Sequence, residues 1–436
     1  MIRRRSFAAN APEIVGPLLA AGLLGVLLLV LLSPRLGFAL PTDPNVVRIY
    51  SSVPMESFDS IAHGVQMAVD EAGGKAGNFR VEYVPLTDDK RQSDGSYHWD
   101  ADVELANARR AAADPDAMVY IGTYNSGAAK ISIPVLNRVR LTMISPGNTY
   151  PGLTKPGTGT AGEPWIYYPL GVQNYFRVVP ADDLQGNAGA AYAQQIGAKS
   201  VYVIDDTELY GHGIAVIFAQ AAKDLGLQVV GGPESIDTHT DDYAALASKI
   251  VAAAPDLVYF GGVTANHPAR VLRDLRRAGF QGTFMGADGI VGSDFLNDYK
   301  SSGGSGSPGS VYATLVGLPA NKLTGAGQDW YQRYISRYPN DRNPDFAPFG
   351  YEAGRVAVHA IATAGVKDRE AIRQATAATK STDLGPNILG GAWQFDANGD
   401  TSLVTISVQQ LGADWAYQGV MSYDPQAKTW SFRQGQ

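Results

Sequence analysis

The sequence predicts an α/β protein with two Rossmann-like lobes, each built around a parallel central sheet. Short β-branched strands alternate with amphipathic helices along most of the chain, and the alternation runs in two successive series. The length of 436 residues also exceeds what one compact core of ordinary size contains. We therefore expect two core-bearing lobes with crossings of the chain between them.

The first series starts at Val46 with the β-branched strand "VVRIYSS". Its further predicted elements are, in order, the helix 61–71, the strand 79–86, the helix 103–113, the strand 117–123, the helix 128–139 and the strand 141–145. Because repeated βαβ units place successive strands side by side in the same direction, this series predicts a parallel sheet.

The second series begins after "NYFRVVPADD", so the two series meet near 178–183. Its predicted elements are the helix 188–198, the strand 200–206, the helix 213–225, the strand 227–232, the helix 243–253, the strand 257–262, the helix 269–278 and the strand 282–288. The serine- and glycine-rich stretch "KSSGGSGSPGS" at 300–310 marks a second loose passage of the chain.

The N-terminus carries an export signal. Three arginines at 3–5 precede an uncharged apolar run from Ile14 to Leu32. We expect residues 1–41 to be a signal peptide or an uncleaved hydrophobic membrane helix, with the rest of the chain outside the cytoplasmic membrane. The net charge of -7 and the absence of basic clusters elsewhere argue against a nucleic-acid partner.

Four polar loops follow predicted strands, two in each series. They are "GTYNSG" at 122–127, "SPGNTYPG" at 145–152, "DDTELYGHG" at 205–213 and "GADG" at 286–289. Ligands of open α/β sheets collect beyond the carboxyl ends of the strands, where helix N-termini point their N–H groups inward. A ligand held by all four loops would lie between the lobes.

These loops and their order resemble the type I periplasmic binding proteins, specifically the leucine/isoleucine/valine-binding branch that feeds ABC transporters. The resemblance runs from about Val46 to Leu411. The matching stretches are "YIGTYNSGAA", "MISPGNTYPGLT", "YFRVVPADDLQG", "VIDDTELYGHG", "DLVYFGG", "VLRDLRRAGFQGTFMGADG" and "WQFDANGD".

The resemblance implies where the two ends of an amino acid would bind. The serine hydroxyl that holds the ligand carboxylate in the family corresponds to Ser126. The backbone and hydroxyl groups of the neighbouring loop correspond to Gly147, Asn148 and Thr149, and the acidic residue that completes the ammonium site corresponds to Asp288. Chemistry alone gives the same requirement, because a buried zwitterion needs donors at one end and an acidic acceptor at the other.

An aromatic ring closes on the ligand from the second lobe in the family, and Tyr210 matches it. Tyr124 and Phe260 are weaker candidates for the pocket wall. Asp288 stands where branched-chain members commonly have glutamate, and Asn148 brings an amide where they have a small apolar residue. An amide, a larger amino acid or a short peptide therefore remains open as the ligand.

The resemblance also implies three hinge strands between the lobes and a mechanism by hinge closure. The expected hinge strands are 178–183, 310–315 and 390–395. The expected lobes are 42–179 with 315–390, and 180–314 with 391–436.

The expected function is that of an extracytoplasmic solute-binding protein that carries a branched-chain or related amino acid to a permease with a separate ATPase. The chain has no P-loop, no Gly-x-Ser-x-Gly nucleophile elbow and no metal spacing among its six histidines. We therefore expect no enzymatic activity, no cofactor and no metal site. The alternative is a sensor or receptor ectodomain, for which the same fold is used.

Overall fold

The computed structural model describes residues 43–435 except 94, 306, 307 and 342. The predicted signal or anchor segment, 1–41, lies outside the described residues. Among the helices that are described, none combines the length and the apolar character required to cross a bilayer.

The first lobe contains a six-stranded sheet in the order β2-β3-β1-β6-β7-β8. The bounds of its strands are Val46–Val53 (β1), Lys75–Ala76 (β2), Phe79–Thr87 (β3), Ala117–Gly122 (β6), Thr142–Ser145 (β7) and Tyr175–Arg177 (β8). All neighbours except β2 and β3 run parallel. The central strand β6 is buried along its whole length, as expected for a parallel sheet covered on both faces.

Helices from two distant parts of the sequence cover this sheet. They are Met55–Glu71 (α1), Ala101–Ala113 (α2), Ser126–Asn137 (α3), Ala326–Arg337 (α9), Ala347–Ala364 (α10) and Arg369–Ala378 (α11). α1 and α10 cross closely, because a Cβ atom on Gly64 would lie 2.3 Å from the Ala347 carbonyl oxygen. A two-stranded hairpin, Asp89–Arg91 (β4) and Tyr97–Trp99 (β5), stands beside the sheet.

The second lobe contains an eight-stranded sheet in the order β10-β9-β11-β12-β13-β14-β15-β16. Its strands are Ser200–Asp205 (β9), Gln228–Ser235 (β10), Leu257–Gly261 (β11), Thr283–Gly286 (β12), Val311–Val316 (β13), Ile406–Leu411 (β14), Trp415–Asp424 (β15) and Thr429–Gln434 (β16). The pairs up to β13 are parallel, and the last three pairs are antiparallel. Its helices are Asp182–Gln195 (α4), Leu209–Asp224 (α5), Ala244–Ala252 (α6), Pro268–Arg277 (α7) and Ser293–Ser301 (α8).

Two of the three expected hinge segments are not regular strands. Residues 178–183 form no strand of their own, because β8 ends at Arg177 and α4 already begins at Asp182. Residues 390–395 form only isolated bridges, since the Trp393 carbonyl accepts from the Ser381 N–H at 2.9 Å. The remaining segment, 310–315, coincides with β13.

Candidate functional site

The four polar loops meet at a small cavity between the lobes, which we call the inner cavity. Its lining residues are Tyr124, Asn125, Ser126, Gly147, Thr149, Tyr210, Val263 and Asp288. Six of the eight residues singled out from the sequence are in this set. The inner cavity has a volume of about 10 Å³, which is room for about one water molecule.

A larger cavity, here the outer cavity, adjoins the inner one and shares Tyr124, Asn125 and Val263 with it. Its volume of about 420 Å³ falls within the range of small-molecule sites. The first lobe contributes the start of α1 and the β4–β5 hairpin, and the second lobe contributes the ends of β11 and β12 with the helices that follow.

One end of the inner cavity is the N-terminus of α3. The preceding Asn125 makes no side-chain capping bond, so the N–H groups of Ser126 and Gly127 have no partner among the described residues. The Ser126 hydroxyl accepts a hydrogen bond from the Tyr150 N–H at 3.3 Å. A helix start with free N–H groups and a hydroxyl suits a carboxylate.

The opposite end carries Asp288, which is 4 % exposed. The Tyr210 hydroxyl donates to its Oδ1 at 2.6 Å and accepts from the Gly289 N–H at 3.2 Å. Burial raises the pKa of Asp288 to about 6, while the hydrogen bond from Tyr210 acts in the opposite direction. No lysine or arginine in the described part of the chain forms a salt bridge with this carboxyl group.

Asp182 is an acidic neighbour that the sequence analysis did not single out. It is fully buried, and no described residue donates a hydrogen bond of good geometry to either of its carboxylate oxygens. Burial, and then the charge of Asp288, raise its pKa well above the ordinary value, although the Thr149 hydroxyl offsets part of the shift. Its position at the start of α4, next to the first crossing between the lobes, was the available signal.

Two predicted contacts lie outside both cavities. Asn148 is fully buried, and its amide donates to the Thr123 hydroxyl at 3.1 Å and to the Tyr124 carbonyl at 3.0 Å. Its Oδ1 accepts from the Tyr175 hydroxyl at 3.1 Å, so the side chain fixes the loop instead of facing the cavity. Phe260 is fully buried in the core of the second lobe, where its ring stacks against Phe284.

Arg177 stabilises the loop 145–152, which contributes Gly147 and Thr149 to the inner cavity. Its guanidinium donates to the Tyr150 carbonyl at 3.0 Å and to the Asn148 carbonyl at 3.3 Å. Its Nε donates to Asp400 at 2.6 Å, and both side chains are buried. Arg177 is therefore a positioning residue that ties the loop to the stretch leading into β14.

One group of side chains outside the two cavities has metal-ligand character. Asp59, His63 and Asp341 offer ligand atoms within 4.8 Å of one another. His63 Nδ1 already lies 2.9 Å from Asp341, and this hydrogen bond raises the pKa of His63. The pairing uses the nitrogen and the carboxylate that a metal would need, and none of the three residues lines either cavity.

Comparison with known proteins places this geometry in a family. The family described as "Periplasmic binding protein" matches residues 50–413. An amino acid binding protein of Pseudomonas aeruginosa is 30% identical over 190 residues, which cover 43% of this chain and 46% of that protein. A Leu/Ile/Val-binding protein homolog 2 of Brucella abortus is 28% identical over 355 residues, 79% of this chain and 83% of the relative.

Among crystal structures, the leucine binding protein LivK from Thermotoga maritima superimposes with a TM-score of 0.71 at 22% identity. The superposition covers 87% of this chain and 99% of that one. It supports the two-lobed fold, and the family match over 50–413 supports the relationship. The chain therefore belongs to the type I periplasmic binding proteins, the family that includes the leucine/isoleucine/valine-binding proteins.

Proposed function

We propose that the protein is an extracytoplasmic solute-binding protein that captures a branched-chain or related amino acid between its lobes. It then delivers the ligand to an ABC transporter permease that works with a separate ATPase. The observation that carries the proposal is the inner cavity, where a free helix N-terminus of one lobe faces a buried acid of the other. The names of the relatives support an amino acid as the ligand.

A zwitterion satisfies both ends of this cavity at once. Its carboxylate accepts from the N–H groups at the start of α3 and from the hydroxyls of Ser126 and Thr149. Its ammonium group pairs with Asp288, and the buried carboxyl group of Asp182, which interacts electrostatically with Asp288, is a second acid at this end. Buried charges without partners are costly, so each end gains its missing partner on binding.

Access to the inner cavity requires the lobes to separate. A volume of about 10 Å³ has no room for an amino acid, and the lobes touch beside it. A Cβ atom on Gly213 of α5 would lie 2.5 Å from the ring of Tyr150 in the first lobe. The ligand enters an open form and stabilises the closed form through contacts to both lobes.

The proposal includes the lobe boundaries and the location. We assign 42–179 and 315–390 to the first lobe, and 180–314 and 391–436 to the second. The family implies a place outside the cytoplasm, and the N-terminal segment serves as the export signal or as an anchor to the membrane.

The test is a calorimetric titration of the chain with the amino acids, their amides and short peptides. Binding at 100 times Kd raises the free energy of unfolding by about 2.7 kcal/mol, so a thermal shift gives an independent reading. We expect Asp288→Ala and Ser126→Ala each to remove most of the binding. Ser132→Ala, a buried serine of the same helix outside both cavities, is the matched control. Unchanged affinity in both site variants would contradict the proposal.

A further inference from the structure

The outer cavity is acidic. Its lining includes five carboxylates, Glu56, Asp89, Glu208, Asp294 and Asp298. The single lysine or arginine among its lining residues is Arg270, which is already paired with Asp298 at 3.2 Å and with Asp241. Burial, assisted by Arg270, lowers the pKa of His267, so this ring adds no positive charge at neutral pH.

Glu208 lines the outer cavity and lies beside the start of α3. It precedes α5 in the second lobe, yet its Oε2 would lie 3.3 Å from a Cβ atom on Gly127 at the start of α3 in the first lobe. No described residue forms a salt bridge or a side-chain hydrogen bond with its carboxylate. Burial, and then the charge of Asp206, raise the pKa of Glu208 to about 7. This group therefore also lacks a cation.

Aromatic rings also line the outer cavity, and one of them lies close to Glu208. Phe58 stacks on Tyr124 with 3.8 Å between the ring centroids, and both line the outer cavity. The Trp99 ring lies against α3, since a Cβ atom on Gly127 would approach it to 2.8 Å. Aromatic faces and carboxylates together favour a cation. An aliphatic side chain would remove water from the carboxylates without providing a partner.

We propose that the ligand is a basic amino acid whose cationic side chain enters the outer cavity and pairs with Glu208. Its α-carboxylate and α-ammonium groups occupy the inner cavity between Ser126 and Asp288. The inference rests on the proposed function and specifies the side chain of the ligand, which is a straight alkyl chain that ends in a guanidinium or an ammonium group.

The experiment compares ligands of matched shape by calorimetry on the full chain at pH 8. The pairs are arginine with citrulline and lysine with norleucine, which differ in the charge of the side chain. We expect the charged member to bind at least tenfold more tightly. Glu208→Gln should remove most of this ratio and keep the affinity for citrulline. Asp224→Asn, which removes one charge at the far end of α5, should leave the ratio unchanged.

Equal affinities within both pairs, or leucine binding more tightly than arginine, would overturn the inference and leave the proposed function standing. A Glu208→Gln variant that weakens both members of a pair equally would overturn it as well, because Glu208 would then not select for charge. Absence of binding by every amino acid, with Asp288→Ala indistinguishable from the parent protein, would remove the proposed function and the inference together.

Discussion

Two buried charged clusters flank the first crossing between the lobes, and they differ in whether their charges are balanced. Arg177 and Asp400 form a salt bridge at 2.6 Å, and the arginine also bonds to two carbonyls of the site loop. Five residues further on, Asp182 lies near Asp288. No arginine or lysine of the described residues forms a salt bridge with either, and the charge of Arg177 offsets only part of the raised pKa of Asp182. In the first cluster, the positive charge of Arg177 balances the negative charge of Asp400. In the second cluster, a ligand with a positive charge would supply the missing partner.

The difference in charge balance alone, without comparison to related proteins, indicates a structural role for the first cluster and a ligand-binding role for the second. A buried ion pair with its hydrogen bonds satisfied holds backbone segments in place. Two buried acids without a salt-bridge partner are costly to ionise, and the charge of Asp288 adds to the raised pKa of Asp182, so their presence in a cleft points to a cationic ligand. The two clusters should therefore respond in opposite ways to loss of charge.

The largest effect is expected for Arg177→Met. The substitution leaves Asp400 buried without its main partner, and breaking such a pair costs about 3–5 kcal/mol. Lys155 lies 3.5 Å from Asp400 and offers a partial replacement, so we expect the lower end, about 3 kcal/mol. Urea denaturation of the ligand-free protein measures the loss. Arg433→Met, at an exposed position of β16, should change stability by less than about 0.5 kcal/mol.

Removal of a charge from the other cluster supplies the comparison. Asp182→Asn takes away one of two adjacent buried acids, so stability of the ligand-free protein should stay the same or rise. If Asp182→Asn lowered stability as much as Arg177→Met does, both clusters would stabilise the fold and the proposed difference between them would be wrong. A loss below about 1 kcal/mol for Arg177→Met would contradict the structural role of the Arg177–Asp400 salt bridge.

The next effect concerns pH. The raised pKa of Asp288, about 6, means that its contribution to the stability of the ligand-free protein is full below about pH 4 and is lost as the pH rises through about 6. Affinity for the ligand ammonium changes in the opposite direction, because the ammonium pairs with the ionised carboxylate. For an amino acid with a neutral side chain, such as leucine or citrulline, we expect affinity to rise about tenfold between pH 5 and pH 7, measured by calorimetry.

Asp288→Asn is the control for this pH dependence. The amide cannot ionise, so its weaker binding should vary much less over the same range. An affinity of the parent protein that is constant from pH 5 to pH 7 would contradict the assignment of Asp288 to the ammonium end.

The sequence predicted most strands of the two sheets, though not β2 or β8, and seven of the helices that pack on them, because their periodicity is local. It did not predict α8 to α11, the strands β14 to β16 or the β4–β5 hairpin. The partners of β14 lie about 90 residues away in β13, and such pairing leaves no signal in a short window. α1 also begins at Met55, six residues before its predicted start, because the apolar periodicity appears only from Ile61.

The sequence predicted which loops form the candidate site, but it predicted the orientation of their side chains less well. Parallel strands end at one edge, so the loops containing Ser126, Thr149 and Asp288 had to converge. The orientation of Asn148 depends on four hydrogen bonds to three residues that no spacing rule relates. Asp182 was missed since an acid at a helix start is usually an exposed cap, and its burial follows from the packing of both lobes.

The smallest effect, and the sharpest test of the second cluster, is expected for Tyr210→Phe. The Tyr210 hydroxyl donates to Asp288 and lowers its pKa, so its loss should raise that pKa above 6. Affinity at pH 8 should change little because Asp288 stays ionised in both proteins, whereas the midpoint of the pH–affinity curve should move upward by up to about one unit. Tyr259→Phe is the matched control, since the buried Tyr259 hydroxyl has no hydrogen-bond partner among the described residues and lines neither cavity. An equal drop of affinity at every pH with an unmoved midpoint would mean that Tyr210 contacts the ligand without tuning the acid, and Asp288 would then owe its high pKa to burial alone.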